Sequence, residues 1–383
     1  MNIVVFCHSL LSDWNHGNAH FLRGLVTELA LRGHRVRAYE PEDAWSVENL
    51  VAEAGEAALR SALERYPMLD VTRYRLEALD VEAATDGADL VIVHEWNDPR
   101  LVRQLGRLRA RAATSFKLLF HDTHHRSVTE GRWQAELDLS GYDGVLAFGE
   151  ALRERYLSAG WSERVYTFHE AADVRVFRPM PDVAPERDLV WIGNWGDEER
   201  TQELSEFVFR PARVLGLTGS VHGVRYPDAG LAAVRDAGLS FEGWLPNYEV
   251  PRVFARHRVT VHVPRRPYAE RLPGIPTIRV FEALACGIAL VSAPWDDSES
   301  LFRADDFWMV RDGSGMQRAL RWLLSDAEAR AELARRGRET VLARHTCGHR
   351  ADQLLGIAEE LGVARSRLGD PIRRAVPEAA PWD

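Results

Sequence analysis

The sequence predicts an α/β chain of two doubly wound domains, on three observations. Short apolar runs of strand length alternate with amphipathic helical stretches along the chain. The alternation stops at the proline-rich stretch Phe177 to Pro185 and then restarts. Finally, 383 residues is ample for two hydrophobic cores and long for one. The boundaries expected are an N-terminal domain over 1–178, a linker over 179–187, a C-terminal domain over 188–350 and a last stretch over 351–383.

In the first domain, Asn2–Cys7 reads as a buried strand and His8–Asn18 as a polar loop. His20–Arg32 is an amphipathic helix closed by Gly33, and Arg35–Tyr39 is the next strand. This strand–helix–strand unit crosses over right-handed in a parallel sheet, so the loop at its start faces a ligand. Ser46–Tyr66 reads as one long helix, followed by an irregular acidic stretch. Strands at Asp89–His94, Phe116–Phe120, Gly144–Phe148 and Arg164–Phe168 then alternate with helices at Leu101–Ala112, Arg132–Leu139 and Glu150–Ala159.

After the prolines, strands at Asp188–Gly193, Arg213–Thr218, Ser240–Gly243 and Val259–Val263 alternate with helices at Glu199–Val208, Leu231–Ala237 and Tyr248–Ala255. The stretch from Pro273 to Ser292 follows. Beyond it come a helix at Ser298–Arg303, a strand at Phe307–Val310 and helices at Gly315–Leu324, Ala327–Arg344 and Arg350–Leu361. Pro371–Asp383, rich in Pro and Ala, reads as a loose tail.

Composition narrows the chemistry. With 48 Lys plus Arg against 57 Asp plus Glu, the net charge of −9 gives no basic footprint for nucleic acid or an anionic membrane surface. Cys7, Cys286 and Cys347 are too far apart for a disulfide framework or a metal spacing, which fits a reducing cytoplasm. No run is apolar and long enough to span a membrane, and Met1–Cys7 lacks the basic start of a secretory leader; peripheral membrane association stays open.

The stretch around Thr277 carries the most chemistry. Pro273 and Gly274 make a turn, Thr277 is a natural N-cap, and Ile278, Phe281 and Ala285 share a face of the helix that Gly287 ends. Ile288–Val291 is then short enough for a buried parallel strand, which puts the helix start at a sheet rim with its N–H groups pointing outward. Those groups and Arg279 suit a diphosphate, and Glu282, three residues on, stands at the distance of a ribose. A capped core helix with a surface Arg–Glu pair accounts for the same residues. Two doubly wound domains also suit a binding protein, an epimerase or a transferase.

The run Thr277-Ile278-Arg279-Val280-Phe281-Glu282-Ala283-Leu284-Ala285-Cys286-Gly287 resembles the C-terminal signature of GT-B glycosyltransferases of group 1 type, and most of all their CgeB-like (spore-maturation-type) branch. Ala172–Pro179 resembles the interdomain crossing of that group, and Trp191-Ile192-Gly193-Asn194 with Arg200 resembles its glycine turn and cation. Val93–Asn97 and Phe120-His121-Asp122 resemble two strand ends of its N-terminal domain, and Gly17 with Asn18 stands at its glycine loop.

The resemblance implies two Rossmann-like domains facing a cleft. It implies transfer of a sugar from a nucleotide-diphosphate donor to a small-molecule, glycan or protein acceptor, with retention and without metal or cofactor. It implies that Glu282 holds the ribose, that Thr277, Ile278, Arg279, Arg200, Arg225 and Asn194 serve the diphosphate, and that the last helix crosses back to the N-terminal domain. His94, His121 and Asp122 are the candidate catalytic groups and Glu95 an acceptor-side group; a histidine near its usual pKa of ~6.5 can take a hydroxyl proton.

Two departures mark this chain. Retaining group 1 enzymes carry an acid eight residues before the helix glutamate, where Gly274 stands here, and their turn arginine is Asn194. A catalytically silent nucleotide-sugar binder and a nucleotide-sugar epimerase are therefore the alternatives. The pairs His124/His125, His16/His20 and His345/His349 lack convincing third and fourth ligands, so no metal site is expected. Asp296-Asp297 reads as a turn, and most tryptophans as core.

Overall fold

Seven parallel strands form the first sheet of the computed structural model, which describes residues 1–111, 114–131, 136–196 and 198–364. They are β1 (Asn2–Phe6), β2 (Arg35–Pro41), β3 (Val71–Tyr74), β4 (Leu90–His94), β5 (Lys117–Asp122), β6 (Gly144–Ala147) and β7 (Val165–Thr167), in the order β3-β2-β1-β4-β5-β6-β7. The second sheet has β8 (Arg187–Ile192), β9 (Gly219–His222), β10 (Ser240–Gly243), β11 (His257–His262), β12 (Ala289–Ser292) and β13 (Trp308–Met309), in the order β10-β9-β8-β11-β12-β13. Both orders reverse direction once, between β1 and β4 and between β8 and β11, and the carboxyl ends of the strands at such a reversal form a ligand-binding crevice.

The strands read as continuous apolar runs because helices cover both faces of each sheet; every residue of β4 and of β12 is buried. In the second unit, Leu189, Trp191, Val259, Val261 and Val291 pack with Phe207, Val208 and Leu320 of the covering helices in one core.

The chain divides into two compact units, Glu170–Thr346 and the remainder, with the residues from Cys347 onward belonging to the first. The boundary thus falls at His169 and Glu170 rather than at 178, and Pro179–Pro185, expected as the linker, lies inside the second unit. The last helix, Cys347–Glu360, is fixed to the first unit by side chains: Arg350 Nε donates to His169 O at 2.8 Å and Gln353 Nε2 to Thr167 O at 2.7 Å.

Several elements differ from the sequence reading. Ser46–Tyr66 is two helices, Trp45–Ala54 and Ala57–Arg65, parted at Gly55. The irregular stretch after them holds β3, an edge strand with only Tyr74 buried and so little apolar signal. Arg213–Thr218 is no strand: a helical stretch runs from Thr201 through a π turn at Ser205–Phe209 to Leu215, and the strand begins at Gly219. Ser298–Arg303 is no helix, because the Asp297 carboxylate takes the N–H groups of Leu301 and Phe302, both at 2.9 Å, and folds the segment into a turn. The helix expected at Arg132–Leu139 lies partly, and the tail Pro371–Asp383 wholly, outside the described residues. Among the described residues no helix is long and apolar enough to cross a membrane.

Candidate active site

The second unit builds its rim at the reversal between β8 and β11. β8 runs into Gly193 and Asn194 and β11 into Val263, and Arg200 bridges the two loops. Its Nη1 donates to Val263 O at 3.1 Å and its Nη2 to Asn194 O at 2.9 Å and Asn194 Oδ1 at 2.5 Å. The guanidinium lies 5.1 Å from the Trp191 ring. It is 8% exposed, and its Nε is buried without a partner.

Burial, followed by the charge of Arg265, lowers the Arg200 pKa to about 9, so at neutral pH it is a cation with an unmet donor. Arg265 Nη2 also reaches Asn194 Oδ1, at 3.2 Å. Asn194 therefore orients two guanidinium groups, a role the sequence reading did not give it. Gly196 makes the room: its φ is +93°, and a Cβ there would stand 2.6 Å from Arg200 Cγ.

The helix Ile278–Cys286 starts at the same rim, and Gly287 ends it in a left-handed conformation. Thr277 occupies the N-cap position, but its side chain makes no capping bond. Ser292 Oγ donates to Ala293 O at 2.8 Å and so accepts from His262 Nδ1 at 2.9 Å. His262, which burial pushes down to about 3, is neutral; its bare Nε2 therefore accepts from the Thr277 hydroxyl at 3.1 Å. The expected cap is thus diverted to a strand end, and the first N–H groups of the helix are left to other acceptors.

Arg279 and Glu282 pair as expected, and Glu282 is 0% exposed, a buried carboxylate rather than half of a surface pair. Arg225 lies exposed on the turn after β9, with φ of 61°. Gly274, φ +84°, stands where the expected acid is missing; a Cβ there would meet Glu299 Oε1 at 2.8 Å. Glu299 is thus the carboxylate nearest that turn. Glu170, the first residue of this unit, is a further buried carboxyl that the sequence reading passed over.

In the first unit, register puts His94 beside His121 across β4 and β5, with ring centroids 5.3 Å apart, and His16 stands 6.2 Å from His94. The loop after β1 is shaped by Glu40 at the end of β2, which accepts from Ser9 Oγ, Leu10 N and Leu11 N. The buried pair Asp13–Arg23, at 2.8 Å, secures the same loop. Gly17 precedes the helix Asn18–Leu31, and Asn18 Nδ2 donates to Thr123 Oγ1.

Thr123 gives its own proton to Glu95 Oε1 at 2.9 Å, so it accepts from His94 Nε2, also at 2.9 Å. The hydrogen on Nε2 leaves His94 Nδ1 as a bare lone pair, buried and without a partner. Burial, then His121 and His16, hold His94 well below 6.5, and burial puts His121 at about 3. These are neutral acceptors at pH 7, not groups poised near their usual pKa as expected.

Burial raises both neighbouring acids: Asp122 to about 6, and Glu95 well above the ordinary carboxylate range with Asp122 adding to the push. Asp122 is engaged at both oxygens, by Tyr156 Oη at 2.8 Å and His124 N at 3.1 Å, which makes it a support rather than a reacting group. Glu95 Oε2 has no partner. An open hollow of about 510 Å³ lies beside this cluster, lined by Asn97, Arg126, Glu130 and Glu136 among others. Among the described residues no group of three His, Cys, Asp or Glu is arranged to hold a metal ion.

Residues 200–356 match the model of the family described as Glycosyl transferase-like. Among curated proteins no sequence matches. Sucrose-phosphate synthase from Thermosynechococcus elongatus is a structural likeness at 15% identity, with 94% of this chain and 99% of that one covered and a TM-score of 0.65. HepE from Anabaena, in complex with UDP and glucose, is 14% identical over 94% and 99% of the two chains, with a TM-score of 0.66. An α-glucosyltransferase in complex with UDP-glucose and DNA containing an abasic site is 12% identical over 94% and 99%, with a TM-score of 0.68. The matched stretch is a glycosyltransferase domain, and the fold that carries it is GT-B.

Proposed function

We propose that this glycosyltransferase moves a sugar from a nucleoside-diphosphate donor to a hydroxyl acceptor, with retention and without a divalent metal. The observation that carries the reading is the overlap of the family match, residues 200–356, with the β8/β11 rim, where Arg200, Arg279 and the start of Ile278–Cys286 converge. The diphosphate lies on the helix N-terminus, and Arg200, with its unmet Nε donor, meets the charge that grows on the leaving oxygen as the glycosidic bond breaks. Glu282 takes the ribose hydroxyls when Arg279 turns to the phosphate. His94 Nδ1 accepts a hydrogen bond from a substrate hydroxyl, its tautomer fixed by Thr123 and Glu95.

The Thr277–Gly287 motif supports the CgeB-like branch, and three buried cysteines, none in a disulfide, fit a reducing cytoplasm. The acceptor is a small molecule, a glycan or a protein. Incubation with UDP-, dTDP- and GDP-sugars tests the reading: release of nucleoside diphosphate and transfer of the sugar are expected with one of them, and the anomeric coupling of the product reports retention. Tight binding of a donor with neither hydrolysis nor transfer would instead identify a silent nucleotide-sugar binder, and turnover to an isomeric donor an epimerase.

A further inference from the structure

The second unit has a hollow of about 250 Å³ at the opposite end of its sheet from the Arg200 rim. His257 and Ala289, the first residues of β11 and β12, line it, whereas Arg200 bridges the loops that follow β8 and β11. One wall is the proline-rich segment 179–185. The other is the start of the helix Ala327–Arg344, where Ala327, Ala331 and Ala334 share a face and leave the space unfilled. Buried Phe254 and Ile288 supply further apolar lining.

The charged groups of the hollow have one sign. Arg258 and Arg330 line it and, among the described residues, no Asp or Glu does, in a chain whose net charge is −9. The acids nearby are already engaged: Asp188 holds Arg258 at 2.6 Å and takes the Thr218 hydroxyl on its other oxygen at 2.8 Å, and Asp326 accepts from Ala329 N at 2.9 Å as the helix cap. His257 is engaged at both ring nitrogens, by Val253 O at 2.7 Å and Ser220 Oγ at 3.0 Å. Arg330 gives Nη1 to Leu323 O at 2.6 Å, and its Nε and Nη2 have no partner among the described residues. Burial, and then the like charge of Arg258, lower the Arg330 pKa against the pull of Asp326, so an anion is what this place lacks.

An apolar concavity with a few convergent polar groups has the form of a small-ligand site, and two adjacent guanidinium N–H groups, such as Nε and Nη2, match the two oxygens of a carboxylate. We propose that this hollow binds a free aliphatic carboxylate, with its chain against Phe254, Ile288 and the alanine face and its headgroup on Arg330 beside Arg258. At ~30 Å³ for each water volume the hollow holds about eight, which suits a chain of about six to eight carbons. The site is separate from the donor rim and does not depend on the reading given to that rim.

Calorimetry of the full chain at pH 7.5 with octanoate, acetate, 1-octanol and octylamine, each below the concentration at which it aggregates, tests the two halves of the site in turn. Octanoate is expected to bind once per chain. Acetate, which lacks the chain, and octanol, which lacks the charge, are each expected at least tenfold weaker, and octylamine is expected not to bind. Arg330→Gln should weaken octanoate at least tenfold and leave octanol unchanged. Ala331→Trp, at an exposed position of the wall, should block both ligands and keep the melting temperature of the wild type. Arg279→Gln, at the donor rim, should leave octanoate binding unchanged.

Absence of octanoate binding up to millimolar concentration, or equal affinity for octanol or octylamine, would overturn the proposal. So would octanoate binding that survives Ala331→Trp, a result that decides the matter even if Arg330→Gln does not fold. A loss of octanoate in Arg279→Gln with full binding in Arg330→Gln would move the anion to the donor rim and overturn the second site, while leaving the donor reading intact.

Discussion

Glu282 and His94 differ in how far their side chains are committed within the protein. Glu282 is buried and paired with Arg279, so the proposed donor complex would exchange that pair for ribose hydroxyls and a phosphate. Glu282→Ala is expected to weaken the cognate nucleotide by about 1.5–3 kcal/mol, the worth of hydrogen bonds to a charged group, as read by calorimetry. Unchanged affinity would remove the ribose role. His94 keeps its Nδ1 lone pair uncommitted while Thr123 and Glu95 hold its other nitrogen. His94→Ala should lower kcat by roughly 10²-fold or more and leave the dissociation constant of the donor nearly unchanged. A loss confined to donor affinity would place His94 outside the reacting set.

At the scale of elements, the two loops that meet at the β8/β11 reversal act as one piece because Arg200 joins them. Gly196 is the pivot of that arrangement, with a positive φ and no space for a Cβ beside the Arg200 stem. Gly196→Ala is expected to cost about 1–3 kcal/mol of backbone strain and to displace the guanidinium. Donor affinity should then fall along with the melting temperature. A stable variant with normal nucleotide binding would show that Arg200 does not depend on this loop. The turn at Ser298–Arg303 shows the same competition in reverse: an aspartate side chain outbids the helix for backbone N–H groups.

Over the whole molecule, buried histidines set the expected dependence of stability on pH. Burial holds His8, His34 and His222 at about 4 and His121 and His262 at about 3. A histidine with a depressed folded pKa contributes stability that is present above its unfolded pKa of ~6.5 and lost as pH falls towards the folded value. Asp122, at about 6, Glu170, at about 8, and Glu40 and Glu95, both raised by burial, work in the opposite sense, but these histidines together with His16, His94 and His257, also lowered by burial, outnumber them. The melting temperature should drop steadily from pH 6.5 to pH 4, and His121→Asn should flatten that slope; a flat profile would mean that the imidazoles are not buried neutral. If arginines and a helix start meet the leaving charge, as proposed, turnover should persist in excess EDTA. Activity lost in EDTA and restored by Mn²⁺ or Mg²⁺ would contradict this.

Periodicity alone determined the alternation of strands and helices, the two sheets and the helix after Thr277, because each buried strand needs an unbroken apolar run and each covering helix an apolar stripe. The same signal failed at β3, whose edge position buries one residue in four, and at Arg213–Thr218, where helix and buried strand look alike over six residues. Residue types along the chain pointed to Glu282, Arg200, His94 and His121, since these chemistries stand at predicted strand ends and helix starts. What they could not contain was the state of each group. That Thr277 serves His262 and that Asn194 serves Arg200 depends on which strand lies beside which. Hydrogen bonding and desolvation act over a few ångströms in space, whatever the separation in sequence, so only the tertiary structure decided which donors are spent, which lone pairs stay bare and which acids keep their protons.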